Sequence, residues 1–292
     1  MKLLFTLTSL LITLQLMAQT PKGKVIEGQS LSSKITGYDV NYSVYLPPCY
    51  DSSERAYPVL YLLHGYSDNE TAWIQFGEVN HSADKAIEEG SIPPMIIVMP
   101  NAKVTWYVNN HDGSDRYEDM FIEEFIPQVE KQYRIRSQRD YRAVSGLSMG
   151  GNGSLVYAIK HPDVFGACAA FSAAVYTNDE MKHHLAKGNK DWFQPIYGEL
   201  NKKGDLPQHW MDNNILNILE KQPLKDIKRV RFYIDCGDDD FLYKGNAALH
   251  VLMRNKKIKH EYRIRDGAHN WTYWRTNIIH GLQFVGDVFH RK

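Results

Sequence analysis

Residues 142–153 read RAVSGLSMGGNG, and this stretch decides the fold. A strand-like run, Arg142–Ser145, leads into a G-x-S-x-G pattern centred on Ser148, and a helix-like segment, Gly150–Lys160, follows. A serine between a strand and a helix lies on a tight, strained turn that exposes its hydroxyl above the sheet. The flanking glycines tolerate that turn, and the helix directs its N-terminal amides to the point where an oxyanion would form. The pattern predicts Ser148 as a nucleophile.

Strand and helix patterns alternate on both sides of this stretch. Val59–Leu63 and Met95–Met99 are nearly continuous apolar runs, which are typical of strands covered on both faces. Further strand-like runs are Tyr42–Leu46, Cys168–Phe171, Arg231–Asp235 and Glu261–Ile264, and helical patterns cover Tyr117–Tyr133, Gly150–Lys160 and Ile278–Phe289. Alternation of this kind predicts an α/β fold, with a mostly parallel twisted sheet and helices on both faces.

Residues 176–228 break the alternation. They follow the strand expected at about 167–172 and mix aromatic residues with glycine-containing loops. Because a strand-like run resumes at Val230, we interpret them as an insertion into a single domain, residues 19–292. Insertions at the C-terminal ends of strands build substrate pockets in open α/β sheets. A solvent-exposed loop with its own small cluster remains the alternative.

A serine hydroxyl is a poor nucleophile at neutral pH and needs a base. In a fold with this turn the partners follow in the order Ser, acid, His. The chain has 12 histidines, so a lone histidine is a weak signal, but His269 stands directly after the last expected strand. An acid would hold the imidazole Nδ1–H and stabilise the imidazolium. The candidate acids follow the preceding strand and are Asp235, Asp238, Asp239 and Asp240. We favour Asp240, because its place in the loop lets it turn back toward His269.

The second oxyanion donor is expected in the loop after an early strand. Gly65 would let the main chain bend there, so that the amide of Tyr66 joins the amide of Met149 in an oxyanion hole. His64 is interpreted as a structural residue beside that loop. Candidate substrate contacts are His64, Gly65, Trp73, Trp106, Trp192 and Trp271. The tryptophans would stack on a sugar or an aromatic acyl group, although core packing explains them almost as well.

Composition excludes several classes of protein. The 34 basic and 34 acidic residues balance, so there is no electrostatic reason to bind nucleic acid or an anionic membrane surface. The aromatic content of 12% argues against disorder. No H-E-x-x-H helix or phosphate-binding loop occurs. Residues 110–115 hint at a calcium loop without the EF-hand spacing. We therefore expect no cofactor and no metal.

Residues 1–18 read MKLLFTLTSLLITLQLMA, with one lysine before an apolar run and a small residue at its end. This pattern is typical of a secretory signal peptide, and the run is short for a stable membrane span. It predicts a secreted or periplasmic protein with no membrane span once the signal is removed. Cysteines can oxidise in such compartments. Cys49, Cys168 and Cys236 cannot all pair with one another, and one disulfide remains open.

Five motifs occur in order along the chain: Tyr45-Leu46-Pro47-Pro48, Leu62-Leu63-His64-Gly65, Gly146-Leu147-Ser148-Met149-Gly150-Gly151, Cys236-Gly237-x-x-Asp240 and Gly267-x-His269-x-Trp271. With them the chain resembles the esterase family of the α/β-hydrolase fold over about residues 34–289. That family includes the feruloyl and acetylxylan esterases of carbohydrate esterase family 1, S-formylglutathione hydrolase and the mycolyltransferases. The resemblance implies Ser148 as nucleophile, Asp240 as acid and His269 as base.

The expected export and this resemblance together favour a secreted serine esterase that acts on an acylated plant oligosaccharide. It would remove feruloyl or acetyl groups from xylan through an acyl-serine intermediate. S-formylglutathione hydrolase is disfavoured, because its substrate is cytosolic. The alternatives are acyl transfer to a sugar or alcohol, a general short-chain esterase, and a non-catalytic carbohydrate-binding protein.

Overall fold

The computed structural model describes residues 21–187 and 190–290. The expected signal peptide, residues 1–18, lies outside the described residues. The strands are β1 (Lys24–Ser32), β2 (Asp39–Leu46), β3 (Val59–Leu63), β4 (Ile96–Pro100), β5 (Arg142–Leu147), β6 (Ala167–Phe171), β7 (Arg231–Gly237) and β8 (His260–Arg265). The α-helices are α1 (Ala72–Gln75), α2 (Val79–Glu88), α3 (Tyr117–Met120), α4 (Ile126–Gln132), α5 (Met149–Lys160), α6 (Asn178–Lys187), α7 (Lys190–Tyr197), α8 (Gln208–Asn213), α9 (Ile215–Lys221), α10 (Tyr243–Asn255) and α11 (Trp271–His290).

The strands form one sheet in the order β1-β2-β4-β3-β5-β6-β7-β8. β2 pairs antiparallel with β1 and β4, and every other neighbouring pair is parallel. The mostly parallel sheet expected from the sequence is therefore confirmed. Because β5, β7 and β8 run in one direction, the loops that follow them emerge at the same edge of the sheet.

Both faces of the sheet are covered, and the central strand β3 shows why. Val59, Tyr61 and Leu63 belong to the hydrophobic core on one face. Leu60 and Leu62 belong to the core on the other. Successive side chains of a strand point to opposite faces, so a fully buried strand reads as a continuous apolar run.

Several elements differ from what the sequence led us to expect. Strand β1 was not expected, because Lys24–Ser32 is mostly exposed and polar and lies at the edge of the sheet. The helix expected over Tyr117–Tyr133 contains a π-helical stretch, Phe121–Phe125, between α3 and α4. The last helix, in turn, begins at Trp271, well before Ile278.

The segment between β6 and β7 is largely helical and contains α6, α7, α8 and α9. Trp210 and Ile218 of this segment are buried in the same core cluster as Phe193. None of the helices in the described part of the chain is long and apolar enough to cross a membrane. Cys49, Cys168 and Cys236 are free.

Candidate active site

Ser148 occupies the turn that joins β5 to α5. Its φ of 53° and ψ of −117° lie outside the usual regions for a residue with a side chain, so the turn stores strain. A Cβ on Gly150 would lie 2.5 Å from the carbonyl oxygens of Leu63 and His64, and one on Gly146 would lie 2.5 Å from the Gly150 carbonyl oxygen. Only glycine permits this approach of the turn to β3.

Two main-chain hydrogen bonds hold the turn in place. The Ser148 N–H donates to the Phe171 carbonyl at 2.9 Å, and the Ser148 carbonyl accepts from the Ala174 N–H at 2.9 Å. Both partners belong to the end of β6 and the loop after it. The serine is therefore fixed against the neighbouring strand.

His269, in the loop between β8 and α11, reaches Ser148. Its Nε2 lies 2.9 Å from Ser148 Oγ, and its Nδ1 lies 2.9 Å from Asp240 Oδ2 and 3.1 Å from Asp240 Oδ1. Because an ionised carboxylate only accepts hydrogen bonds, the proton of a neutral imidazole resides on Nδ1. Nε2 is then free to accept the serine hydroxyl proton.

Asp240 follows β7 and is only 1% exposed. Burial alone raises the pKa of this carboxyl, but hydrogen bonds from His269 and Ser172 outweigh that effect. The Leu242 N–H donates a further bond to Oδ1 at 2.8 Å. The pKa of Asp240 is held below its usual value, so the carboxylate is charged at neutral pH.

The other candidate acids have different partners. Asp235 is buried and accepts hydrogen bonds from Arg265 at 2.9 Å and from Tyr233 and Tyr273. Asp238 is exposed and accepts from the Gly267 N–H at 2.9 Å. Asp239 is also exposed. Of the four acids, Asp240 is the one that contacts the histidine.

The loop after β3 runs beside Ser148. A Cβ on Gly65 would lie 3.7 Å from Ser148 Cβ and 2.7 Å from the side chain of Leu147. The main-chain N–H groups of Tyr66 and Met149 donate no hydrogen bond within residues 21–187 and 190–290. Both amides are thus available on the two segments that flank the serine.

Three of the expected substrate contacts do not reach the cavity at Ser148. His64 is 1% exposed; its Nδ1 bonds the Gly65 carbonyl at 2.7 Å, and its Nε2 accepts from the Ala102 N–H at 2.9 Å. Burial lowers the pKa of His64 to about 4, which keeps the ring neutral and structural. Trp73 is also 1% exposed, and its indole N–H donates to the Leu63 carbonyl. Trp271 packs edge-on against Trp73 at 5.3 Å.

A cavity of about 620 Å³ opens beside Ser148. It is lined by Gly65, Tyr66, Asp68, Trp106, Leu147, Ser148, Ala174, Tyr176, Glu180, His184, Trp192, Phe241, Leu242, His269 and Trp274. The expected contacts Gly65, Trp106 and Trp192 therefore lie in its wall. Planar aromatic side chains make up much of that wall, and such walls favour planar, apolar ligands.

The segment after β6 closes one side of the cavity. The Trp192 ring, on α7, stacks on Tyr66 with ring centroids 4.8 Å apart and an interplanar angle of 26°. The Trp106 indole N–H donates to the Trp192 carbonyl at 3.2 Å. The segment thus rests directly on the loop that follows β3.

The lining residues missed in the sequence include Tyr176, Glu180, His184 and Phe241. Phe241 directly follows Asp240, is 67% exposed, and lies 4.5 Å from the His269 ring. Its position beside a candidate acid was the only available signal. The other three belong to a segment without a recognisable motif.

No group of three or more metal-ligating side chains occurs in the part of the chain that the structure describes. The 2.9 Å contact between His269 Nε2 and Ser148 Oγ allows the hydroxyl to be activated by proton transfer to the imidazole, and the cavity can hold the acyl part of an ester.

Comparison with known proteins identifies the family. The family model described as "Putative esterase" matches residues 33–285. The chain belongs to this esterase family. A solved ferulic acid esterase is 31% identical, with a TM-score of 0.78, and the match covers 92% of this chain and 99% of that one. The expected family, the α/β-hydrolase fold and the enzyme class, a carboxylic ester hydrolase, are confirmed.

The curated relatives include an acetyl esterase and a xylanase that is also a feruloyl esterase. The acetyl esterase of Caldicellulosiruptor saccharolyticus is 25% identical over 233 residues, which cover 78% of this chain and 83% of that relative. The endo-1,4-beta-xylanase/feruloyl esterase of Xylanibacter ruminicola is 32% identical over 157 residues, or 51% of this chain. That match spans only 22% of the relative's length.

Proposed function

We propose that this esterase is a serine hydrolase that removes feruloyl groups from plant polysaccharide such as xylan. The observation that carries the proposal is the line of contacts from Asp240 through His269 to Ser148, with 2.9 Å at each step, beside an aromatic cavity. The acyl group would occupy the cavity, and the sugar would be the leaving alcohol.

In the first half of the reaction, His269 Nε2 takes the proton of Ser148 Oγ as the oxygen attacks the ester carbonyl carbon. The carbonyl oxygen becomes an oxyanion, and the amides of Tyr66 and Met149 donate to it. The imidazolium is stabilised by Asp240 and then gives its proton to the departing alcohol oxygen. The carbon–oxygen bond to the sugar breaks, and an acyl-serine remains.

In the second half, water replaces the sugar. His269 Nε2 takes a proton from this water, whose oxygen attacks the acyl carbon. The tetrahedral intermediate collapses, the proton returns to Ser148 Oγ, and the free acid leaves. Because the same groups serve both halves, an alcohol in place of water would give acyl transfer.

The cavity favours an aromatic acyl group over an acetyl group. Trp106, Tyr176 and Trp192 present ring surface that a methyl group cannot cover. Burying a planar ring there removes far more apolar surface from water. The similarity to a ferulic acid esterase over 92% of this chain supports the same choice.

We also propose that the protein is exported, because residues 1–18 have the pattern of a secretory signal peptide. Polymeric xylan is an extracellular substrate, so export and substrate are consistent. N-terminal sequencing of the protein from the periplasm or medium of an expressing cell should find a start close to Gln19. An uncleaved N-terminus inside the cell would contradict export.

Hydrolysis by the purified protein tests the reaction. We expect release of ferulic acid from methyl ferulate and from feruloylated xylan oligosaccharides, with slower release of acetate from acetylated xylan. A fluorophosphonate probe should label the protein but not Ser148→Ala. Activity on short acyl esters alone would make it a general esterase, and acylated sugar as the main product would make it a transferase. Absence of labelling would contradict the serine mechanism.

A further inference from the structure

Besides His269 and the tyrosines, three carboxylate or imidazole side chains face the cavity: Asp68, Glu180 and His184. An otherwise aromatic pocket uses such groups to fix the orientation of its ligand. The surroundings of each group decide whether it is available to do so.

Asp68 lies at the reacting end. Its carboxylate accepts a hydrogen bond from the Gly65 main chain. Its Oδ2 lies 3.2 Å from the point that a Gly65 Cβ would occupy, and that point is 3.7 Å from Ser148 Cβ. Asp68 therefore lines the cavity at the end beside the nucleophile, on the loop after β3.

Glu180 is already engaged by its own helix. Its Oε2 accepts from the Thr177 N–H at 2.8 Å and from the Thr177 hydroxyl at 2.7 Å. The Glu180 N–H donates back to the Thr177 hydroxyl oxygen at 3.3 Å, which completes a capping box at the start of α6. Lys244 Nζ lies 4.0 Å from Oε1. This carboxylate caps the N-terminus of α6.

His184 stands one turn further along α6, on the same helix face as Glu180. Aromatic rings hold it in place, with Tyr176 at 5.1 Å in a T-shaped contact and Phe193 at 5.2 Å. Neither of its ring nitrogens has a hydrogen-bond partner among the residues the structure describes. A half-buried imidazole, fixed by packing and unpaired, faces the cavity.

We propose that His184 is a specificity-determining residue that hydrogen-bonds a hydroxyl on the aromatic ring of the acyl group. The inference rests on the proposed function, because it assumes that an aromatic acyl group fills the cavity. A phenolic hydroxyl can donate to one imidazole nitrogen or accept from the other. The chemical class selected is a hydroxylated arylacryloyl ester over its unsubstituted analogue.

The protonation state of His184 suits this role. Burial lowers the pKa of the imidazole, the neighbouring His183 lowers it further, and Glu180 opposes them. The net shift is downward, so the ring is neutral at pH 7. A neutral imidazole has one donor and one acceptor nitrogen.

Matched esters test the inference. Methyl 4-hydroxycinnamate and methyl 3-hydroxycinnamate are compared with methyl cinnamate, which lacks the hydroxyl. We expect the wild type to prefer one hydroxylated ester roughly tenfold in kcat/KM, as one hydrogen bond to a fixed partner allows. His184→Phe and His184→Leu should bring that ratio to about one, whereas His184→Asn should retain part of it.

His183→Phe is the matched control. His183 is the adjacent histidine, is exposed and does not line the cavity, so its replacement should leave the ratio at the wild-type value. Equal kcat/KM for all three esters in the wild type would overturn the inference about His184 and leave the proposed function standing. The same holds if both apolar variants at 184 keep the preference. If the enzyme hydrolyses none of the three esters, both the proposed aromatic-ester function and the inference about His184 are wrong.

Discussion

Replacement of Asp240 by asparagine should reverse the hydrogen bonding of His269. Asp240 Oδ1 accepts from the Leu242 N–H at 2.8 Å, and Oδ2 faces His269 Nδ1 at 2.9 Å. In Asp240→Asn the amide oxygen stays with Leu242, since only an oxygen accepts that bond. The amide NH₂ then points at Nδ1 and favours the tautomer with its proton on Nε2. That nitrogen can no longer take the Ser148 proton.

The expected loss in kcat is about 10³- to 10⁴-fold, as in a triad whose acid becomes an amide. It corresponds to about 4 to 5 kcal/mol of transition-state stabilisation. KM for methyl ferulate should change little, because the Asp240 side chain does not line the cavity. Initial rates with methyl ferulate, followed by absorbance, give both constants.

Asp238→Asn is the control, because Asp238 is exposed and contacts the Gly267 N–H but not the histidine. Its kcat should fall less than about threefold, as expected for an exposed side chain away from the reacting atoms. A loss below tenfold in Asp240→Asn would refute the assignment of the acid. An equal loss in the two variants would refute it as well.

Three further perturbations test the nucleophile, the buried histidine and the turn. Ser148→Ala should lower kcat by about 10⁴-fold or more, yet bind ferulate in calorimetry as the wild type does. In the unfolded chain His64 becomes protonated near pH 6.5. In the folded protein burial lowers its pKa to about 4, so it becomes protonated only near pH 4. The free energy of unfolding should therefore fall by about 3 kcal/mol between those pH values; urea titrations should show a smaller fall in His64→Asn, and an equal one would contradict the reasoning. Gly150→Ala, whose Cβ would lie 2.5 Å from two carbonyl oxygens, should cost about 2 kcal/mol or more in urea unfolding; unchanged stability would contradict the close approach.

The sequence predicted those elements whose local residue pattern fits only one structure. Val59–Leu63 is a strand with the bounds expected, since a short apolar run between turn residues fits a buried strand. The serine turn was equally readable, because strand, glycines and helix are adjacent in the chain. The choice of Asp240 among neighbouring acids followed from its loop position.

The other features of the site depend on where side chains point and on how helices and loops pack, which the local sequence pattern does not determine. Trp73 was expected at the substrate, but its indole N–H satisfies the Leu63 carbonyl inside the core. His184 and Phe241 line the cavity through the packing of α6 and of the loop after β7, and no periodicity marks either residue. Strand β1 is amphipathic only weakly and was overlooked for that reason.

The stack of Tyr66 on Trp192 connects the loop after β3 with helix α7, which lines the cavity. Tyr66 supplies a proposed donor to the reacting oxygen, while Trp192 shapes the space for the acyl group. Changes in α7 that admit new esters should therefore also disturb the loop after β3, which we propose supplies an oxyanion donor. On this proposal, broader selectivity should come at the expense of turnover, and a library that randomises residues 190–197 should recover variants that gain one and lose the other.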